Sequence, residues 1–217
     1  MARRDIKRYR KNGPDATTRE LIEVLSERVP ADATLIDVGS GIGALSHALL
    51  QGPVSRVTMV DESSSYQEVA RELATDHGTL ERCTFVGDDF VHAQPELGQV
   101  DVVALDRVIC CYPDYEGLLG AAAKTGASVC GFSHPRDRWY IKPVVAIINL
   151  TRWLARSEFR VFVHSESGMR AVLRGSDFQV CSEGGTFVWK VTVMERSSPA
   201  LASEVPDDSH PEVVVPT

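Results

Sequence analysis

The stretch LIDVGSGIG, Leu35 to Gly43, constrains this chain more than any other. A short apolar run leads into three glycines at alternate positions, Gly39, Gly41 and Gly43, and then into ALSHALLQ, which reads as a helix. Glycine reaches positive φ without steric cost and lets a ligand lie close to the backbone. Free amides at the start of the following helix favour the polar or anionic end of a ligand. A strand, a glycine turn and a helix in that order predict an α/β fold that holds a nucleotide-like ligand, and GSGIGA fits the dinucleotide fingerprint if Ala44 takes the third position.

The rest of the chain alternates in the same way. DATTRELIEVLSERV reads as a helix capped by Thr17 or Asp15, with Leu21, Ile22 and Leu25 at helical spacing. RVTMVD, RCTFVGDD, VDVVALD and ASVCGFS read as strands, separated by the helices SSYQEVARELATDHG and YEGLLGAAAKTG. VDVVALD is apolar almost throughout, as expected of a parallel strand covered on both faces. The alternation predicts a doubly wound, mostly parallel α/β sheet. Beyond residue 140 the pattern changes. KPVVAIINLTRWLARSEF predicts a helix after Pro143, SESGMRAVLRGS a second one capped by Ser165, and DFQVCSEGGTFVWKVTVMER an antiparallel hairpin turning at Gly184-Gly185. We expect a basic arm at 1–16, one domain at 17–196 and a disordered, proline- and acid-rich tail at 197–217.

Charge narrows the function. The formal net charge of −7 argues against general nucleic-acid binding. Arg3, Arg4, Lys7, Arg8, Arg10 and Lys11 crowd the first dozen residues, either as a solvated helix or frayed end, or as a flap for an anionic substrate or membrane surface. No apolar run approaches the ~20 residues of a membrane span, so no stable membrane insertion is expected. The basic N-terminus has no apolar stretch behind it and is not a secretory signal, so the expected location is cytoplasmic. The five cysteines form no C-x-x-C pair, and no metal site is expected.

Two acids sharpen the glycine signal. Asp37 stands two residues before Gly39, where it disfavours a pyrophosphate and suits a ligand carrying an ammonium or sulfonium charge. Asp61 ends the second strand, at the distance where an acid grips ribose hydroxyls. LIDVGSGIG with Asp61 resembles the nucleotide half of class I S-adenosylmethionine-dependent methyltransferases, over roughly Thr17 to Arg196. The resemblance implies a seven-stranded sheet with an antiparallel last strand. It implies that S-adenosylmethionine is the cofactor and S-adenosylhomocysteine the product. Gly39, Gly41 and Gly43 would then face the methionine part, Asp61 the ribose, and Asp88 or Asp89 the adenine amino group, with Asp37, Ser40, Glu62 and Asp106 as further cofactor-binding candidates.

LDRVICCYPDYEGLL and FRVFVHSESGMRAVLRGSDF are similar to the magnesium-protoporphyrin O-methyltransferases and their bacterial relatives, which methylate a propionate on a planar tetrapyrrole. The chain departs from them where they usually carry a histidine before Tyr-Pro: the residue here is Cys111. The acceptor is expected beyond the carboxyl ends of the fourth and fifth strands. Catalytic candidates there are Asp106, Tyr112 and His134, with His164 a further general-base candidate; acceptor-binding candidates are Arg107, Cys111, Arg136 and Arg138. Residues 141–164 are expected to roof the site as a lid, with Val144, Val145, Ile147, Ile148, Trp153 and Leu154 as its apolar face and Arg152 and Arg156 on one helical face. A paired thiol site at Cys110 and Cys111 is not expected, because neighbours on a strand point to opposite faces. The expected partner is a small-molecule acceptor, and the expected reaction is O-methylation of an apolar carboxylic acid, tetrapyrrole-like acids included. The rivals are a nicotinamide-dependent oxidoreductase and a non-catalytic cofactor-binding protein. Oligomeric state is not readable from the sequence.

Overall fold

Buried strands need apolar side chains on both faces, and the strands of this chain supply them. The computed structural model describes residues 1–157 and 159–197; of the tail expected at 197–217 only Ser197 is among them, its amide bonded to Asp177 O, and the rest lies outside the described residues. Two helices, α1 (Ala2–Asn12) and α2 (Ala16–Arg28), precede strand β1 (Ala33–Val38). Then follow α3 (Ala44–Leu50), β2 (Val54–Val60), α4 (Ser64–Asp76), β3 (Cys83–Val86) and the short α5 (Phe90–Ala93). β4 (Val102–Asp106), α6 (Tyr115–Lys124) and β5 (Val129–Pro135) complete the alternating part. The chain closes with α7 (Ile141–Leu154), α8 (Glu166–Arg174), β6 (Phe178–Gly185) and β7 (Trp189–Arg196).

The sheet has seven strands in the order β3-β2-β1-β4-β5-β7-β6. β1 to β5 pair in parallel, and β7 runs antiparallel to both β5 and β6. The expected doubly wound sheet with a closing hairpin is therefore the observed one. Ile36, Val103, Leu105 and Phe132 point to one face and pack with Leu118, Leu119, Met169 and Leu173 of α6 and α8. Leu35, Val57, Met59, Val102 and Ala104 point to the other and pack with Leu21, Leu25 and Leu49 of α2 and α3. Strand order reverses between β1 and β4, so a crevice opens between the loops that follow those two strands, as it does at the ligand sites of open α/β sheets.

Three local readings are corrected. The hairpin does not turn at Gly184-Gly185: both are the last residues of β6, Gly185 pairs with Lys190, and the chain reverses through Thr186–Val188. The glycines serve a close approach instead, since Gly185 has φ 116° and its amide donates to Glu20 Oε1 at 2.7 Å. α7 begins at Ile141 and includes Pro143, which sits in the first turn where a helix needs no amide donor. α7 ends at Leu154 with Arg156 at φ 55°, the Ser157 amide bonding to Arg152 O and the Arg156 amide to Trp153 O. This left-handed cap puts Arg156 outside the helix, so it shares no helical face with Arg152. Finally, the apolar face expected on α7 is exposed at Val144, Ile147, Trp153 and Leu154, and Leu150 is exposed beside it. The N-terminal arm is helical and docked. Ala2 and Ile6 are buried against Val69 and Leu73 of α4, while Arg3 pairs with Glu68 and Glu72, and Arg10 with Glu72 and Asp76.

Candidate active site

Gly39, Gly41 and Gly43 have φ of 61°, 55° and 77°, values that a side-chain-bearing residue adopts only with strain. The turn they make is packed from below: a Cβ on Gly39 would overlap the Val108 side chain, which comes from the loop after β4. Gly41 is open, with only the Tyr66 ring at 3.9 Å from where its Cβ would lie. Ser40 donates its amide to Val60 O at 3.2 Å, fixing the turn to the end of β2.

Acids surround this turn. Asp61 accepts from the Gly41 amide and from the Ser63 amide, both at 2.9 Å, and so joins the glycine turn to the start of α4. Glu62 beside it is exposed. Asp37 is buried, with one partner, the Ser46 hydroxyl of α3, at 2.6 Å. Burial pushes its carboxyl up to about 7, and the nearby charges of Asp106 and Asp61 act in the same direction. Asp88 accepts from the Asp89 amide and meets His92 Nδ1 at 2.7 Å; Asp89 caps α5 through the His92 amide. Both stand in the loop after β3, as expected from the sequence.

The far side of the crevice is built from the end of β4. Asp106 accepts from Thr18 Oγ of α2 at 2.6 Å and from Ser133 Oγ of β5. Burial raises its pKa, opposed by those two hydrogen bonds. Arg107 adopts φ 60°. Its amide bonds to Ser133 Oγ, its Nη2 reaches Asp15 at 2.6 Å, and its guanidinium lies 4.6 Å from the Trp189 ring centre. Its Nε is buried without a hydrogen-bond partner. Thr18, Ser133 and Trp189 were not singled out from the sequence, since each reaches the site from a distant element with no local pattern to mark it; nor was Val108, which follows Arg107 directly.

The remaining candidates are dispersed. Tyr112 is half-buried, and burial with its bond to Asp89 holds its phenol at about 12. His134 is buried beneath the end of β5, bonded through Nδ1 to Pro135 O at 2.9 Å, and burial lowers its pKa. His164 Nε2 donates to the carbonyls of Ile109 and Tyr112, at 3.1 and 3.0 Å, and so holds the loop after β4 in place. Arg136 is committed to the hairpin, with Nε on Thr186 O and Nη2 on Gly184 O, and Arg138 is exposed. Cys110 and Cys111 lie on a 3₁₀ turn, not a strand, with Sγ atoms 3.6 Å apart, so the argument that they face opposite ways does not hold. Among the described residues no third His, Cys, Asp or Glu joins them to hold a metal ion.

An acceptor-rich crevice lined by carboxylates, with a glycine turn open at Gly41, fits a cationic sulfonium nucleoside. It is unfit for the pyrophosphate of a nicotinamide cofactor, which would face Asp37, Asp61 and Asp106 together. Fold and site thus have the arrangement that a class I S-adenosylmethionine-dependent methyltransferase requires. Residues 35–125 match the family described as the methyltransferase domain. A Streptomyces achromogenes subsp. streptozoticus protein named arginine N(omega)-methyltransferase is 30% identical over 123 residues, which are 55% of this chain and 34% of that one. The chain thus spans about a third of the length of this curated relative. The magnesium protoporphyrin IX methyltransferase of Synechocystis PCC 6803, with bound S-adenosylhomocysteine, superimposes with a TM-score of 0.69 at 19% identity, covering 89% of this chain and 94% of that one. An O-methyltransferase family protein of Burkholderia thailandensis gives 0.66 at 19% identity, covering 84% and 57%. These two likenesses are of fold.

Proposed function

We propose that the protein transfers the methyl group of S-adenosylmethionine to an oxygen of a small apolar molecule, a carboxylate. The observation that carries the acceptor class is Arg107. It stands at the end of β4 in a left-handed conformation, stacked on Trp189 and paired through Nη2 with Asp15, with a buried Nε that has no partner. A guanidinium so placed suits a carboxylate, which it orients with directional, charge-assisted bonds.

The cofactor, when bound, supplies a methyl already activated by its sulfonium charge. Asp61 and the Gly39–Gly43 turn would hold it, and Asp37 would meet its cationic end. The chain then has to align the acceptor and exclude water. A carboxylate is ionised at neutral pH and needs no base. The crevice accords with this. Tyr112 keeps its proton, Asp106 is committed to two hydroxyls, and His164 Nε2 to two carbonyls.

A second reading, N-methylation of a guanidinium, is favoured by the arginine methyltransferase among the relatives. It requires a free acid at the acceptor position; Asp15, the nearest one to Arg107, is paired with it, so an acceptor of either kind has to open that ion pair. The test is transfer of labelled methyl to a panel of acids, phenols, amines and guanidines, including magnesium protoporphyrin. Base-labile label marks an ester. Arg107→Asn, which tolerates positive φ, should raise the acceptor KM and leave cofactor affinity unchanged. Base-stable label on nitrogen would reject the carboxylate reading.

A further inference from the structure

α7 reverses the usual rule that a helix turns its apolar face inward. It is 14 residues long and buries Ile141 alone. Val145, Asn149 and Arg152 are the more covered residues of the helix body, and Asn149 anchors it through two bonds to the Val161 backbone, both at 2.8 Å. Val144, Ile147, Leu150, Trp153 and Leu154, on the outer side, are 52–67% exposed. The patch continues past both ends. Trp139 and Phe187 are exposed at 81% and 74%, with the Phe187 ring stacked on Tyr140 at 4.7 Å. At the other end Phe159 lies under the Arg152 guanidinium at 4.3 Å. A continuous apolar surface of this extent marks a site of association.

The rim of the patch is cationic. Residues 138–160 contain Arg138, Lys142, Arg152, Arg156 and Arg160 against one acid, Glu158. The neighbouring Asp137 is paired with Lys142 at 3.1 Å. We propose that α7 is an interfacial helix that seats the protein on an anionic lipid bilayer, lying in the headgroup plane with its outer face in the acyl boundary. Three features support a bilayer over other occupants. An apolar face bearing tryptophan and rimmed by Arg and Lys is what an anionic lipid surface attracts. A second copy meeting this patch about a two-fold axis would bring two cationic rims together, the Arg138 and Lys142 end of each copy toward the Arg156 end of the other. At about 21 Å the helix is too short to cross a hydrocarbon core of roughly 30 Å, and among the described residues no helix is long and apolar enough to do so. The whole chain is acidic, so the attraction has to be local to this rim. The segment that follows α7 is tied to the loop after β4, by the Phe162 amide on Cys110 O at 2.7 Å, so the seat brings the acceptor side of the crevice beside the lipid.

The test needs neither acceptor nor methyl donor, so its outcome is separate from that of the methyl-transfer assay. Full-length protein is sedimented with phosphatidylcholine vesicles with and without phosphatidylglycerol, at low and high salt. Binding is expected to the anionic vesicles only, to weaken with salt, and to fall at least about tenfold in the double variant Ile147→Glu/Leu150→Glu. Those side chains are exposed, and circular dichroism checks that the variant is folded. Arg138→Glu should weaken binding to anionic vesicles by a smaller factor. A parent protein that stays in the supernatant with anionic vesicles at low salt overturns the proposal. So does a double variant that binds as well as the parent, which would assign the binding to α1. A parent dimer that the double variant converts to monomer, without vesicle binding, would make α7 a contact between copies instead.

Discussion

Replacing Asp37 with Asn removes one titrating carboxyl from the crevice while keeping its shape. In the free protein, burial holds this group at about 7, well above the 3.8 of an exposed aspartate. Because the folded value is the higher one, the contribution of Asp37 to stability is complete below pH 3.8 and is lost as pH rises through 7. A cationic ligand against the carboxylate favours the ionised form, so binding expels a proton. With half-titration near 7, about one-tenth of the free protein is ionised at pH 6 and about nine-tenths at pH 8. Cofactor affinity should therefore fall about tenfold from pH 8 to pH 6 through this group, a change of about 1.4 kcal/mol. Calorimetry at pH 6.5 in two buffers of different ionisation enthalpy should show most of a proton leaving per site in the parent. In Asp37→Asn that release, and the tenfold slope, should be missing. The reasoning is refuted if parent and variant share the same buffer dependence and the same pH slope.

Four further outcomes are expected. His47 is buried with Nε2 unpartnered, and burial depresses it from 6.5 to about 4, so stability should be full above pH 6.5 and decline by about 3 kcal/mol as pH falls toward 4; urea melts of the parent and His47→Gln at pH 7 and 4.5 should differ in their acid loss. Gly39→Ala combines a left-handed strain of roughly 1–2 kcal/mol with overlap on Val108, and should abolish cofactor binding by calorimetry; adding Val108→Ala should recover part of it. Thr18→Ala takes one donor from the Asp106 carboxylate and should cost about 1–3 kcal/mol in denaturant unfolding. Arg136→Ala frees two hairpin carbonyls and should lower the melting temperature while leaving cofactor affinity unchanged; a selective loss of acceptor affinity would return Arg136 to the acceptor site.

The sheet was legible because its signals are local. Apolar runs such as VVALD and the glycines between β1 and α3 act over a few residues, and each element followed where they pointed. Asp37, Asp61 and the acids after β3 could be placed because the fold dictates what stands at a strand end. The acceptor side was less legible for a physical reason. Asp106 takes its partners from residues 88 and 27 positions away, and Arg107 joins one 92 positions away. Whether an arginine faces a ligand or a carbonyl is decided by such contacts, and Arg136 and Arg107 look alike in sequence. The exposure of α7 was not legible: its periodicity marks an apolar face but not whether that face meets protein, and its more covered side is held by Asn149, a single polar residue.

The contact between Val108 and Gly39 makes one residue answerable to two selections. Val108 belongs to the loop after β4, where we propose that the acceptor binds, yet its methyl groups fill the space under the glycine turn. A lineage that changes its acceptor by enlarging this side chain displaces the glycine turn at the same time. One that shrinks it leaves a hollow beneath the turn, and the turn loses the packing that holds its left-handed form. If the acceptor binds as proposed, substrate range at position 108 therefore moves only together with the packing of the glycine turn.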